Sequence, residues 1–227
     1  MIGIATAYLM FSGSSGSGNN GTTAGPIDAK PKASLATPGP PASLGQWGYI
    51  GSRTTDPVPL SLTELFPSSF PANGLTYTMT VDKSRINCGL ALVGSSIQSA
   101  AQSASCTQAM SASYLSSDQK LMGTIGVLNL STAAGSESTG KAAGASETIA
   151  QLPGPSGPTT KLTQGTGIEA AEVKGHYLVL VWAEFANLQA PSTAAEKQQV
   201  QDFINTLIQN TANISLASRE VTGKPAG

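Results

Sequence analysis

Cys88 and Cys106 are the only cysteines of the chain, and the segment joining them, CGLALVGSSIQSAAQSASC, sets a condition on the whole fold. As one continuous helix it would hold its ends on the order of 27 Å apart, at about 1.5 Å per residue. A disulfide needs Cα atoms within about 7 Å. The two cysteines are therefore either unpaired or joined by a segment that doubles back. Ile86, Cys88, Leu90 and Leu92 alternate as in a strand, whereas Leu90, Val93, Ile97, Ala101 and Ala104 recur at helical spacing, with Gly94, Ser95 and Ser96 between the two patterns. A break there, with Ser96 as N-cap, lets an outward strand of roughly 20 Å be answered by a return helix of about 15 Å. A kinked pair of helices closes the gap equally well. The expectation is a Cys88–Cys106 disulfide worth about 3 kcal/mol in the chain-entropy model, the alternative being two buried thiols acting as small hydrophobes.

The 227 residues fit one domain with a long tail. Twelve Lys and Arg face thirteen Asp and Glu, which excludes the basic footprint of a nucleic-acid binder. Only 11% of residues are charged, against about 25% in ordinary soluble domains, a balance that suits an exported protein. The apolar run Ile2 to Phe11 is shorter than the roughly 20 residues a bilayer span needs. It also lacks the basic start and cleavage site of a signal peptide. Residues 12–45 are rich in Gly, Ser and Pro and poor in apolar anchors, the composition of a disordered linker. Together these predict, for residues 1–11, the outer end of a membrane anchor cut short in this chain, followed by a tether, the alternative being a disordered tail that happens to carry a few apolar residues. Gly16, Gly18 and Gly21 match a dinucleotide-loop spacing, but Pro26 and Pro31 block the helix such a loop requires.

A single domain is expected from residue 46 to 222, with 223–227 as a tail. Its lead-in, QWGYIGSRTTDPVPLSLTELFPSSF, mixes large apolar residues with Pro57, Pro59 and Pro67, so it reads as an extended segment with one helical turn at Leu62 to Phe66. Residues 75–81 alternate as a half-buried strand. Residues 110–130 read as a hairpin turning at Ser116 to Gln119, with Gly123 and Gly126 as bulge candidates. A weak helix is predicted over 136–152, and a strand covered on both faces from Tyr177 to Val181. Thr193 and Glu196 form a capping box ahead of a helix whose stripe is Val200, Phe203, Ile204, Leu207 and Ile208. NISLASREVTG reads as a short edge strand or a trailing end.

The motifs QWGYI, DPVPLSLTELFP, NCGLALVG, CTQAMSASYLSSD, MGTIGVLNL, GPTTKL and VKGHYLVLVWAEF, over residues 46 to 190, resemble a group of actinobacterial exported or single-pass membrane-anchored proteins of unknown function. The resemblance implies an extracytoplasmic domain behind one transmembrane helix. It carries no activity with it.

Residues able to carry chemistry are few. His176 is the sole histidine and sits at the start of the buried strand, a structural position more than that of a general base. Cys88, Cys106 and His176 have no zinc-ligand spacing. Ser138 and Lys141 match S-x-x-K, but the partner motifs of that chemistry have only the poor matches SSDQ and TGK. Glu169, Glu172 and Glu184 read as solvated strand ends, and Asn129 and Asn213 as sequons that stay empty in a bacterial chain.

The expected fold is α+β, a mostly antiparallel sheet of four or five strands with two or three helices on one face, in a β-α-β-β-α-β style. The expected function is non-catalytic: a membrane-tethered envelope domain that binds a protein, a wall component or a small ligand, with no metal, cofactor or nucleic acid. A hydrolase-like enzyme built on Ser138 and Lys141 or on His176, and a purely structural spacer, are the alternatives. The candidate binding residues are Tyr49, Arg53, His176 and the loop Gly154, Pro155, Ser156, Gly157 and Pro158, chosen because loops lie at the surface.

Overall fold

The computed structural model describes residues 42–144 and 146–225. The apolar run 1–11, linker residues 12–41 and the tail end 226–227 lie outside the described residues. In chain order the elements are α1 (Leu62–Leu65), β1 (Ser69–Ala72), β2 (Leu75–Arg85), β3 (Leu92–Val93), α2 (Ser95–Ser103), β4 (Gln108–Ser116), β5 (Leu121–Asn129), α3 (Ala133–Lys141), β6 (Thr148–Ile149), β7 (Ile168–Lys174), β8 (Tyr177–Phe185), α4 (Ala194–Asn210) and α5 (Ala212–Thr222). Tight 3-10 turns occupy Ala42–Gly51, Cys88–Ala91 and Pro158–Lys161.

The class is α+β and the main sheet is antiparallel, in the order β1-β2-β4-β5-β8-β7, with β3 and β6 forming a separate pair. At six strands the sheet exceeds the four or five expected, because β1 and β7 are hard to read. β1 contains Pro71, tolerated because the strand lies at the sheet edge. β7, IEAAEVK, has only two β-branched residues. The layout also departs from β-α-β-β-α-β crossovers, since α2 joins two strands, β2 and β4, that are antiparallel neighbours.

The helices pack on both faces, not one. Tyr177, Val179, Val181 and Ala183 of β8 face a core with Val200, Phe203, Ile204 and Leu207 of α4 and Leu216 of α5. Leu178 and Leu180 face a second core with Ile97 and Ala101 of α2 and with Ile149. A strand apolar on both sides requires two covering layers, and the apolar run in β8 is the sequence expression of this. The lead-in lays Ile50, Leu60, Leu65 and Phe66 onto the first core, as its composition suggested. Ser61 caps α1 by accepting from the Glu64 amide at 3.2 Å.

The hairpin register of β4, β5 and β8 runs unbroken through Gly123 and Gly126, so neither glycine is a bulge. Both make room instead. A Cβ on Gly126 would lie 2.4 Å from Ile149 Cδ1, and one on Gly123 would lie 2.5 Å from the Trp182 carbonyl oxygen. The bulge sits in β2 between Met79 and Val81. It lies on a strand whose far half carries exposed Asp82 and Lys83, the usual protection of a sheet edge.

The helix expected over 136–152 is shorter. α3 starts after Thr132, whose side chain accepts from the Gly135 amide, and ends at Lys141; Ile149 enters the core from β6 instead. The capping box at Thr193 and Glu196 is present. NISLASREVTG is neither strand nor trailing end: it forms α5, with buried Ala212, Ser215, Leu216 and Arg219.

The disulfide closes, with Cα atoms 6.2 Å apart. The outward leg is a 3-10 turn and the short β3, the break is Gly94 at φ 99°, and α2 returns. Glycine suits that left-handed position. Ser96 is not the cap. The Glu147 carboxylate takes the Ser96 amide at 3.3 Å and the Ile97 amide at 2.8 Å from across the β3–β6 pair. A disulfide of this kind is compatible with an oxidising, extracytoplasmic compartment. Among the described residues no helix is long and apolar enough to cross a membrane.

Candidate functional site

The expected site residues fall in two places. Tyr49, Arg53 and His176 gather on the lead-in side of the molecule, where β8 begins. The half-buried Tyr49 ring covers Gly223 at the end of α5. Arg53 spends its guanidinium on the chain itself, donating through Nε to Asn129 Oδ1 at 3.2 Å and through Nη2 to the Ser105 carbonyl at 2.5 Å. The loop 154–158 lies elsewhere, over Thr80 of β2. Gly154 is buried and donates to the Thr159 carbonyl, Pro155, Ser156 and Gly157 are exposed, and Pro158 opens the turn that plugs Thr159 and Leu162 into the structure.

His176 is fully buried at the centre of a polar cluster. Its amide donates to the Ile50 carbonyl at 2.7 Å. Its Nδ1 lies 2.9 Å from the Leu130 carbonyl, which only accepts, so Nδ1 carries a proton. Its Nε2 faces Asp56 Oδ2 at 3.7 Å and has no hydrogen-bond partner. Tyr177 donates its hydroxyl to the same Oδ2 at 2.6 Å.

Arg219 of α5 completes the cluster. Nη1 donates to Asp56 Oδ1 at 2.8 Å and to the Val58 carbonyl at 2.7 Å. Nη2 donates to the Pro59 carbonyl at 3.1 Å and to Glu64 Oε2 at 2.8 Å, while Nε donates to Glu64 Oε1 at 2.5 Å. The Glu64 pairing is the bidentate fork that suits guanidinium to carboxylate. Burial works against the Asp56 carboxylate, but the His176 ring, the Tyr177 hydroxyl and the Arg219 charge outweigh it and hold its pKa below the usual range. Burial first, and then the Asp56 carboxylate, push the Tyr177 phenol well above its ordinary value. Apart from His176 Nε2, the side-chain nitrogens and the Tyr177 hydroxyl are directed at acceptors of the chain itself, and Asp56, His176 and Arg219 are wholly covered. The cluster fastens the lead-in and α5 to β8.

Asp56, Glu64 and Arg219 escape a reading of spacing. Their only trace is Arg219, which occupies the place of an apolar residue in the stripe Ala212, Leu216, Arg219.

Ser138 and Lys141 are both exposed on α3. Glu172 pairs with Lys174 at 2.8 Å. Glu184 is not a solvated strand end: it is fully buried, accepts from Trp182 Nε1 at 3.3 Å, and leaves Oε1 without a partner. Burial raises its pKa.

Two surface features remain. A shallow open cleft of about 420 Å3 lies between α1 and the α4–α5 junction, lined by Thr63, Glu64, Asn210, Ile214 and Ser215 among others. Beside the disulfide, Ile86, Leu90 and Val93 are 86%, 67% and 44% exposed, three large apolar side chains within eight residues. Cys88 and its bridge to Cys106 anchor that segment between them.

No protein-family model, curated protein or solved structure matches the chain.

Proposed function

We propose that the chain is a non-catalytic, extracytoplasmic domain of the cell envelope, joined to the membrane on its N-terminal side, that binds a protein partner. The supporting observation is the exposure of Ile86, Leu90 and Val93 on a segment anchored by the disulfide. Large apolar side chains exposed together on one short segment are the kind of surface that a protein partner covers. A segment already held in shape loses little entropy when a partner covers it. The burial of Asp56, His176 and Arg219, with the Arg219 guanidinium and the Tyr177 hydroxyl engaged within the fold, favours a structural role for the cluster over a catalytic one. The low charge, the disulfide and the resemblance to actinobacterial exported proteins support the envelope location.

The test is site-specific photo-crosslinking in the native envelope, with the crosslinking residue placed at Leu90, Ile86 or, as a control, Gln201 on the outer side of α4. One discrete adduct from positions 86 and 90, absent at 201 and lost with Val93→Asp, supports the reading. Equal labelling at all three positions, or none, overturns it.

A further inference from the structure

The charge balance of the buried cluster turns on one proton, that on His176 Nε2. Arg219 contributes one positive charge and Asp56 and Glu64 two negative charges. With a neutral His176 the cluster holds one excess negative charge; with an imidazolium it is balanced. The orientation of the ring decides between the two. Nδ1 is committed as a donor to Leu130, so a neutral ring would turn the bare lone pair of Nε2 toward Asp56 Oδ2 at 3.7 Å. Two lone pairs facing each other without water between them is a costly burial. A second proton on Nε2 converts that contact into an ion pair. Oδ2 already accepts from Tyr177 and Oδ1 from Arg219 Nη1, so each carboxylate oxygen of Asp56 meets a donor.

Four groups therefore face Asp56 or its partners from the surrounding elements: His176 from the β7–β8 turn, Tyr177 from β8, Arg219 from α5 and Glu64 from α1. Apart from the Leu130 carbonyl held by His176 Nδ1, what His176, Tyr177 and Arg219 grip lies on the lead-in. Asp56, Glu64 and the carbonyls of Ile50, Val58 and Pro59 are all held from outside it, by Arg219 and by the amide and ring of His176. The lead-in covers apolar surface with Leu60, Leu65 and Phe66, against α5 and the first core.

We propose that the lead-in from Ile50 to Glu64 is a strap fastened by protonation. It is closed while His176 carries both ring protons and Asp56 is ionised. It loosens, together with α5, when Nε2 gives its proton to solvent or Asp56 takes one up. The rest of the sheet keeps its pairing, because β2, β4, β5, β8 and β7 form a continuous ladder that does not include the strap.

Hydrogen exchange on the full chain, corrected for intrinsic rates and followed between about pH 5 and pH 9, tests the proposal against the single histidine. Because the chain has one histidine, nitrogen-15 labelling of that residue gives one pair of ring signals to follow alongside. The expected result is that both nitrogens are protonated where the strap is protected. Loss of the Nε2 proton then coincides with roughly tenfold faster exchange in 50–66 and 212–222. Exchange in the β4–β5 hairpin stays unchanged. His176→Gln removes the alkaline response while keeping a neutral polar group. A bare Nε2 in a fully protected strap, or strap and hairpin exchanging together, overturns the proposal. Should His176→Gln not fold, the wild-type ring signals and exchange decide it alone.

Discussion

Arg219 Nη1 lies 2.8 Å from Asp56 Oδ1 across 163 residues of chain, and the contact joins the last helix to the lead-in. Removing either partner leaves a buried charge without its counterion, a loss of about 3 to 5 kcal/mol. Arg219→Met and Asp56→Asn should each lower the urea midpoint by that equivalent at unchanged m-value. Arg219→Lys should recover only part, because a lysine ammonium cannot make the two-pronged contact to Glu64. Full recovery by Lys would show that the fork geometry is unimportant.

Two buried carboxylates should give stability opposite slopes with pH. Asp56 titrates in the folded state below its unfolded value of 3.8, so its contribution is complete above that pH and is lost as pH falls through the folded value. Glu184 titrates above its unfolded value of 4.5, so the folded state takes up its proton first and stability rises as pH falls through the folded value. Unfolding at closely spaced pH values should therefore show a shallow gain on mild acidification, followed by a steep loss below about pH 4. Glu184→Gln should abolish the gain and stabilise the protein at pH 7 by on the order of 1 kcal/mol, since its burial leaves Oε1 unpaired. A gain that survives in Glu184→Gln assigns it to another group.

Reduction of Cys88–Cys106 should cost about 3 kcal/mol, the chain-entropy value for a loop of this size. Intact mass after alkylation, with and without prior reduction, establishes the bridge. Thermal unfolding of the two forms measures its worth. If reduction leaves stability unchanged, the segment is held by Glu147 and the β3–β6 pair rather than by the bridge.

What was legible in the sequence was whatever rested on one chain-local pattern. The doubling back at Gly94, the capping box at Thr193 and the two-faced strand β8 each follow from a handful of adjacent residues. The return helix α2 was legible from Ile97 and Ala101, but not that it covers the face opposite α4, and α3, built of Ala, Ser, Gly and Thr around few apolar residues, gave little periodic signal. α5 was hidden by polar residues in core positions: Ser215 bonds the Glu64 carbonyl and Arg219 reaches both acids, so its stripe reads as broken until the partners are in place. The cluster shares that cause. The lead-in acids Asp56 and Glu64, His176 and Arg219 come from three distant parts of the chain, and only the packing of the lead-in against α5 and the start of β8 brings them together.

Gly126 offers the sharpest test of how the second face is packed. A Cβ there would lie 2.4 Å from Ile149 Cδ1 and 2.9 Å from Ile149 Cγ1, closer than carbon atoms approach. Overpacking of this kind costs about 1 to 3 kcal/mol. Gly126→Ala should show that loss by urea unfolding, and Ile149→Val should cost about 0.5 to 1.5 kcal/mol for the missing methylene. In the double variant the shorter side chain vacates the Cδ1 position, so the two changes should sum to less than their separate costs. A coupling of at least about 0.5 kcal/mol is the mark of direct contact. Strict additivity would mean that Gly126 is needed for the β4–β5–β8 backbone itself and not for Ile149.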